Sequence, residues 1–324
     1  MTVPGEIVYF GGEFVPQDQA RVPITSHAFN YGTGCFEGIR AYWSDRREQL
    51  FLIRLRDHSN RILRSAKILH LEPDPALTVA KFEEVVVELL ARNEYQQDAY
   101  VRPIIYKSGN TIKVTLSGIP TEFCCYTLPM GDYLDIRKGL RMMTSSWRRI
   151  DDNAIPARAK PIGAYLNAAL AADEARSLGF DEALMLTHDG QVAEASSANL
   201  FMVQDGVLVT PPVTDDLLVG VTRDCVMAMV QQKGWPLQVR QVDRSELLAA
   251  DEAFLCGTGV QIAPVTEIDG RQVGEGRLGE FTKALQDWYL QIVRGEVEDF
   301  ASWRTTVEPL ALPAARAGSG SGAG

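Results

Sequence analysis

Residues 155–170 read IPARAKPIGAYLNAAL and contain one lysine, Lys160, directly before a proline. A proline disfavours the α region for the residue before it, so Lys160 is predicted to lie in extended backbone at the end of a loop. The alanine-rich run that follows predicts a helix ending near Gly179. The residues around Lys160 are nearly uncharged, so its ammonium group has no obvious carboxylate partner nearby in the sequence.

Polar groups that could act together with Lys160 occur in three later stretches. Glu194 lies in VAEASSANLF, an otherwise uncharged strand segment where burial of an unpaired acid would be costly. VGVTRD places Val221 and Thr222 at the start of a helix, and CGTGV places Thr258 between two glycines. Backbone N–H groups at both points can bind an anion. Each stretch also has a simpler interpretation: an exposed strand acid, a helix N-cap and an ordinary turn.

Lys160 itself is either a solvated surface lysine, the usual case, or a desolvated nucleophile of the kind that forms Schiff bases. The second interpretation suits pyridoxal phosphate (PLP). This cofactor needs a carboxylate at its pyridine nitrogen, a cradle for its phosphate and a hydrogen bond to its phenolic oxygen. The order and combination of the three stretches favour the second interpretation.

The composition indicates a globular protein that does not bind nucleic acid. The chain has 324 residues, which suggests two domains, and 46% of them are hydrophobic. With a net charge of -10, a large basic surface is not available. No apolar run approaches the roughly 18 residues of a membrane span, and the start, MTVPGEIVYFGG, does not resemble a secretory signal. We therefore expect a cytoplasmic protein without membrane contact.

Three further patterns argue against other chemistry. The five cysteines form no C-x-x-C pair, and Cys124 and Cys125 lie in an apolar run that predicts a strand. The four histidines show no metal-ligand spacing, so we expect no metal. GEGRLG, residues 274–279, fits the dinucleotide pattern G-x-G-x-x-G, but only one helix follows it, so its glycines are interpreted as turn residues.

Hydrophobic periodicity divides the chain into an α+β first part and a β-rich second part. Strand patterns flank two predicted helices in the first part, RDHSNRILRSAKIL and VAKFEEVVVELLARN. In the second part, Asp189-Gly190 and Asp205-Gly206 predict hairpin turns. The predicted ranges are a first domain at 1–131, an interdomain loop at 132–140, a second domain at 141–310 and a flexible tail at 311–324.

Together the motifs resemble the branched-chain amino acid aminotransferases, PLP enzymes of fold type IV. The resemblance covers nearly the whole chain, from about residue 7 to about residue 303. It rests on SHAFNYGTGCFEGIRAY, RDHSNRI, YVRP, SSWRR, AKPIGAYLN, EASSANLF, TPPVTDDLLVGVTRD and GTGVQIAPV. The resemblance implies a small α/β N-terminal domain, a larger pseudo-barrel domain that binds PLP, and a homo-oligomer, either a dimer or a hexamer.

The resemblance also implies which residues bind the cofactor. Lys160 would form the covalent bond to PLP and later move the proton. Tyr165 would hydrogen-bond the phenolic oxygen, Glu194 would keep the pyridine nitrogen protonated, and Leu218 would lie against the ring face. The phosphate would be held by Arg61, Val221, Thr222 and Thr258. Without the resemblance, Arg61 would be interpreted as a solvated helix arginine.

Substrate selection is assigned by the resemblance to the first domain. Strand alternation in AYVRP puts Tyr100 and Arg102 on the same side, which could also be the exposed face of an edge strand. Tyr100, with the amides of Thr258 and Gly259, would hold the α-carboxylate, and Arg102 would meet the side-chain carboxylate of glutamate. An apolar pocket, partly from a neighbouring subunit, would be formed by Tyr31, Phe36 and Tyr133.

The implied reaction transfers the amino group of L-leucine, L-isoleucine or L-valine to 2-oxoglutarate in two half-reactions. D-amino acid transaminases, (R)-amine transaminases and aminodeoxychorismate lyases share the lysine and the glutamate, but YVRP and GTGVQIAPV favour the branched-chain enzymes. A binding module without turnover would predict an altered lysine or glutamate, and both are intact. The chain departs from many relatives at Pro161, Ile162, Ala198 and Met130, and Met130 leaves the width of the pocket open.

Overall fold

A computed structural model of the chain describes residues 5–131 and 138–310. Within these ranges the chain forms two β-sheets with helices packed against them. The predicted pocket residue Tyr133, most of the predicted interdomain loop and the predicted tail at 311–324 lie outside the described residues. What the sequence predicts for them stays a prediction.

The first sheet is antiparallel and comes mainly from the N-terminal part of the chain. Its strands before residue 131 are β1 (Ile7–Phe10), β2 (Glu13–Pro16), β3 (Gly34–Phe36), β4 (Ile39–Ser44), β5 (Gln49–Ile53), β6 (Ala99–Lys107) and β7 (Thr121–Pro129). They lie in the order β5-β4-β6-β7-β1-β2, and β3 pairs with β6 beyond the end of β4. The predicted turn at Gly11 and Gly12 is confirmed, because both residues have positive φ.

The helices of the first part are α1 (His27–Tyr31), α2 (Leu55–Ile68) and α3 (Val79–Arg92). The sequence predicted α2 and α3, which pack against each other, but it did not predict the short α1. The apolar stripe of α3 is buried as its spacing predicts. In α2, Arg61 and Ser65 are one turn apart and buried, and both contact loops of the second part of the chain, at Val219 and Lys160 respectively.

The second sheet is mixed and is formed after residue 138. Its strands are β8 (Leu140–Thr144), β9 (Glu182–Leu186), β10 (Val192–Ala195), β11 (Asn199–Gln204), β12 (Val207–Thr210), β13 (Leu237–Val239), β14 (Glu252–Gly257), β15 (Gln261–Ile268) and β16 (Arg271–Gln272). They lie in the order β10-β9-β8-β15-β14-β11-β12-β13, with β16 beside β15. Asp205 and Gly206 both have positive φ and join β11 to β12, which confirms that hairpin.

Both faces of the second sheet are buried. Its helices are α4 (Tyr165–Ser177), α5 (Val221–Gln232), α6 (Arg244–Leu247) and α7 (Glu280–Val293). One face packs against α5 and α7 through a cluster that includes Phe201, Phe254 and Tyr289. The other face curls around an apolar core made largely of its own strand residues, such as Leu200 and Leu255. This curled sheet is the predicted pseudo-barrel.

One further strand, β17 (Arg304–Val307), returns to the first sheet and pairs with β5. The sequence did not predict this strand, and it falls in the range assigned to the second domain. The domain boundaries themselves stay a prediction.

The remaining patterns of the second part behave as ordinary structure. Gly274 and Gly276 have positive φ in a turn, and Gly279 precedes α7, so the turn interpretation of GEGRLG is confirmed. Among the helices of the described residues, each is too short or too polar to cross a lipid bilayer.

Candidate active site

A cavity of about 290 Å³ lies where the two sheets meet, bounded by β6, the Lys160 loop, the β14–β15 turn and the start of α5. The structure brings twelve predicted site residues to its wall. They are Phe36, Arg61, Tyr100, Arg102, Lys160, Tyr165, Glu194, Leu218, Val221, Thr222, Thr258 and Gly259. Tyr31 is elsewhere: it is 42% exposed on α1, and its hydroxyl donates to the carbonyl of Ile112.

Lys160 is held in extended backbone between the two sheets. Its N–H donates to Ser65 Oγ at 3.2 Å, and its carbonyl accepts the Phe36 N–H at 3.2 Å. The next residue, Pro161, forms a β-bridge with Cys35, as extended backbone requires. Lys160 Nζ donates to Tyr165 Oη at 2.6 Å. Among the described residues no carboxylate is within ion-pair distance of Nζ, as the sequence suggests.

Tight backbone packing fixes this loop against β3. The Ile162 N–H donates to the Gly34 carbonyl at 2.9 Å. A Cβ on Gly34 would lie 2.7 Å from the Ile162 side chain and 2.9 Å from the Ile105 carbonyl, so only glycine fits there. Ile162, one of the departures from the family pattern, therefore packs directly on the strand that holds Lys160.

Glu194 is buried in β10, which excludes its interpretation as an exposed strand acid. Its Oε2 accepts from Asn199 Nδ2 at 2.8 Å. Its Oε1 accepts from the Leu218 N–H at 3.3 Å and forms an ion pair with Arg149 Nη2 at 2.9 Å. Burial raises the pKa of Glu194, and the positive charge of Arg149 opposes that shift. The result is a buried carboxylate with donors on both oxygens at the cavity wall.

Arg61 is buried on α2 and fixed by a carboxylate that the sequence analysis missed. Its Nε and Nη2 donate to Glu37 at 2.6 and 2.7 Å, and its Nη1 donates to the Val219 carbonyl at 2.8 Å. His58 Nδ1 lies 2.8 Å from the same carboxylate. Burial alone would raise the pKa of Glu37, but the Arg61 guanidinium and His58 hold it well below its usual range. Two of the five N–H groups of Arg61 stay available to the cavity.

Backbone donors complete the cationic end of the cavity. Helix α5 begins at Val221 without a side-chain cap, and its N-cap, Gly220, has no side chain to offer. A Cβ at Gly220 would lie 2.0 Å from Asn199 Oδ1, so this glycine also lets α5 approach β11. Free N–H groups at a helix start, next to a buried arginine, form an anion site. The N-cap is thus Gly220 and not Thr222, which lies in the first turn of α5.

The opposite wall of the cavity carries Tyr100 and Arg102 on the same side of β6, as strand alternation predicts. Arg102 Nη2 donates to Tyr100 Oη at 2.7 Å, and its guanidinium carbon lies 4.3 Å from the centre of the Phe36 ring. In the described part of the chain no carboxylate pairs with Arg102. Burial raises the pKa of Tyr100 to about 12, so its hydroxyl stays neutral. An arginine that has no carboxylate partner and lies beside an apolar ring can bind either an acidic or an apolar group of a ligand.

Arg40 is a second residue at the site that the sequence did not predict. It is buried on β4, where its Nη1 donates to the Gly259 carbonyl at 3.1 Å and its Nη2 to the Gly131 carbonyl at 2.7 Å. It thereby ties the β14–β15 turn to the first sheet. Arg40 and Glu37 both stand in FEGIR, and Arg149 stands in SSWRR, so all three lie in motifs that carry the family resemblance. Their partners are distant in sequence, so the motifs alone could not reveal the pairs.

The described ranges contain no group of three His, Cys, Asp or Glu side chains that could hold a metal ion. The donor set instead fits PLP. It offers a lysine next to a tyrosine hydroxyl, a buried carboxylate, and a separate anion site formed by Arg61 and the start of α5.

Comparison with known proteins agrees with this donor set. Residues 34–268 match the family described as Amino-transferase class IV. The chain is 40% identical to the probable branched-chain-amino-acid aminotransferase of Aquifex aeolicus, over 93% of this chain and 97% of that protein. The fold is therefore that of a PLP enzyme of fold type IV. The chain belongs to the class IV aminotransferase family.

Two solved structures share the fold over nearly the whole chain. The branched-chain aminotransferase of Thermoproteus uzoniensis, solved with norvaline, has a TM-score of 0.89 at 40% identity, covering 95% of this chain and 100% of that one. The branched-chain amino acid aminotransferase of Thermobaculum terrenum, solved in its PLP form, has a TM-score of 0.89 at 33% identity, covering 94% of this chain and 99% of that one.

We expect Glu37→Gln to destabilise the protein by about 3–5 kcal/mol near neutral pH, because it leaves the buried Arg61 charge unpaired. The folded-state pKa of Glu37 lies below its unfolded value, so its contribution is complete above about pH 5 and shrinks by about 1.4 kcal/mol per pH unit below about pH 4. Urea unfolding of both proteins should therefore show a smaller difference at about pH 3.5 than at about pH 7.

The matched control is Glu84→Gln, which removes an exposed carboxylate paired with Lys81. It should change the unfolding free energy little at either pH. A Glu37→Gln difference that is equal at both pH values would contradict the depressed pKa.

Proposed function

We propose that the protein is a PLP-dependent transaminase that moves the amino group of L-leucine, L-isoleucine or L-valine to 2-oxoglutarate. The products are branched-chain 2-oxo acids and L-glutamate. The observation that carries the proposal is the cavity itself. Its wall combines a lysine without a carboxylate partner, a buried carboxylate, an anion site and an uncompensated arginine beside an apolar ring. Family membership and the names of the relatives support the same activity.

PLP would be held at both of its polar ends. Arg61, Val221, Thr222 and Thr258 would bind the phosphate, and Glu194 would accept the N–H of the ring. Tyr165 would hydrogen-bond the phenolic oxygen, and Leu218 would pack on the ring face. When bound, PLP supplies the electron sink for the electron pair released as the substrate Cα–H bond breaks.

Lys160 would be both the covalent attachment point and the proton carrier. Once released by the incoming amino group, its Nζ can accept the proton from the substrate Cα and hold it for return. The short Nζ–Tyr165 contact and the backbone bonds to Ser65 and Phe36 limit how far this nitrogen moves. A fixed proton carrier costs little reorganisation in the transition state.

Two kinds of side chain have to fit on the same wall. Tyr100, with the amides of Thr258 and Gly259, would bind the α-carboxylate that all substrates share. Phe36 and the hydrocarbon part of Arg102 would pack on a leucine side chain. The Arg102 guanidinium would bind the second carboxylate of glutamate or 2-oxoglutarate. The buried Arg40 would support this site by holding the Gly259 carbonyl.

The direct test is the absorbance spectrum of the PLP-loaded protein before and after addition of L-leucine without any oxo acid. We expect the visible cofactor band to be replaced by the spectrum of the pyridoxamine form. Lys160→Ala should abolish the change, because no proton carrier is left, whereas Lys67→Ala, an exposed lysine on α2, should preserve it. A band that responds only to D-amino acids or amines would move the protein to another fold type IV activity.

Arg102→Leu should change KM for the two substrates to different extents. We expect KM for 2-oxoglutarate to rise by roughly 100-fold and KM for L-leucine by less than about threefold, because only the former loses a charged hydrogen-bond partner. Steady-state kinetics with each substrate varied in turn would measure the split. Equal effects on both substrates would argue against an arginine that serves only the acidic side chain.

We also propose a homo-oligomer, either a dimer or a larger assembly. Residues 24–31, which include helix α1, contact the segment 108–118, and both carry exposed apolar side chains, including Ile24, Phe29 and Ile112. Such a patch favours burial against another protein surface. Tyr31 lies on it, outside its own cavity, which suits the predicted contribution to a neighbouring subunit.

Light scattering would test this assembly. A mass of at least twice 35.8 kDa is expected for the unmodified chain, and Phe29→Asp should lower it. A monomeric unmodified chain would overturn the proposal.

The cytoplasmic location is likewise proposed, in keeping with five cysteines that form no disulfide, and cell fractionation would test it.

A further inference from the structure

We propose that Arg149 is a positioning residue that keeps Glu194 ionised and oriented, so that the site selects a ring whose nitrogen carries a proton. This inference deepens the proposed function and rests on it, because it concerns the same PLP site. Arg149 forms an ion pair with the Glu194 carboxylate, and no sequence motif predicted the pair.

The hydrogen bonds around Glu194 leave one direction open. A carboxylate offers about four lone-pair positions. Hydrogen bonds use two of them, from Asn199 Nδ2 at 2.8 Å and from the Leu218 N–H at 3.3 Å, and Arg149 Nη2 lies 2.9 Å from Oε1 as an ion-pair partner. The carboxylate lies in the cavity wall, so a remaining position can accept a donor from inside the cavity. A protonated ring nitrogen is such a donor.

The charge of Glu194 needs a cation in contact with it. Asn199 and Leu218 are neutral donors and cannot balance a buried negative charge. Lys160 and Arg223 are the other cations that act on Glu194. Lys160 Nζ donates to Tyr165, and Arg223 donates to Thr210 Oγ1 and the Pro211 carbonyl. Arg149 is therefore the cation that touches the carboxylate.

Arg149 is itself anchored. Its backbone N–H donates to the Leu186 carbonyl at 2.9 Å, and its Nε donates to the Asp216 carbonyl at 3.1 Å. Its side chain is 15% exposed, so water screens the pair only weakly. The guanidinium thus holds one carboxylate oxygen in place while the other oxygen is held by Asn199. Without Arg149, burial would favour the protonated acid, whose hydrogen bond to the ring nitrogen is no longer charge-assisted and is therefore weaker.

The test compares two ligands that differ at one atom. PLP and its 1-deaza analogue, which has C–H in place of the ring nitrogen, are titrated into the apoprotein, and both dissociation constants are measured by equilibrium dialysis. We expect the unmodified protein to favour PLP, and Arg149→Met to reduce that preference about tenfold or more, mainly through weaker PLP binding. Arg149→Lys keeps the charge and should retain part of the preference.

Arg148→Met is the matched control, since the neighbouring arginine is exposed, and it should leave the preference unchanged. If Arg149 had a purely structural role, Arg149→Met would weaken the binding of both ligands equally. An unchanged preference for PLP over the analogue in Arg149→Met would therefore overturn the proposal. If Arg149→Met does not fold, Arg149→Leu and Arg149→Lys are compared instead. A preference for PLP that is complete in Arg149→Leu and lost in Arg149→Lys would also overturn the proposal. An unmodified protein that does not bind PLP would instead refute the proposed function.

Discussion

The structure depends on one backbone contact, the pairing of the Lys160 loop with β3. Phe36, Gly34 and Cys35 bond or bridge to three consecutive residues of the loop, Lys160 to Ile162. This pairing joins the two sheets at the point where the cavity forms. A lysine on a freely moving loop could not stay within hydrogen-bond distance of Tyr165. Glycine at Gly34 and extended backbone at Lys160 are both needed for the contact, which connects local sequence to the geometry of the site.

Most elements of the fold could be predicted from the sequence because their patterns are local. The stripe of α3, the hairpin at Asp205-Gly206 and the helix after the Lys160 loop follow from spacing and turn chemistry. The short α1 and β17 carry too few residues for a periodic signal. Residues such as Lys160 and Glu194 could be identified because they stand in specific motifs, and the resemblance to known enzymes supplied their expected roles.

The pairing of the buried charged residues around the site could not be predicted from the sequence, for a physical reason. Glu37 and Arg61 are 24 residues apart, and their pairing depends on where α2 packs against the sheet. Arg149 meets Glu194 only because the chain after β8 runs beside β9, and β9 is the neighbour of β10. A sequence shows which residues can carry charge, but the topology decides which charges share a low-dielectric site. The two buried ion pairs therefore become visible only in three dimensions.

The return of β17 to the first sheet has a consequence for biosynthesis. β5 is flanked by β4 on one side and by β17 on the other, and β17 comes more than 250 positions later in the chain. Until residues 304–307 leave the ribosome, β5 has an open edge that can pair with other chains. The first sheet is thus begun early and completed late, and the second sheet must be synthesised in between.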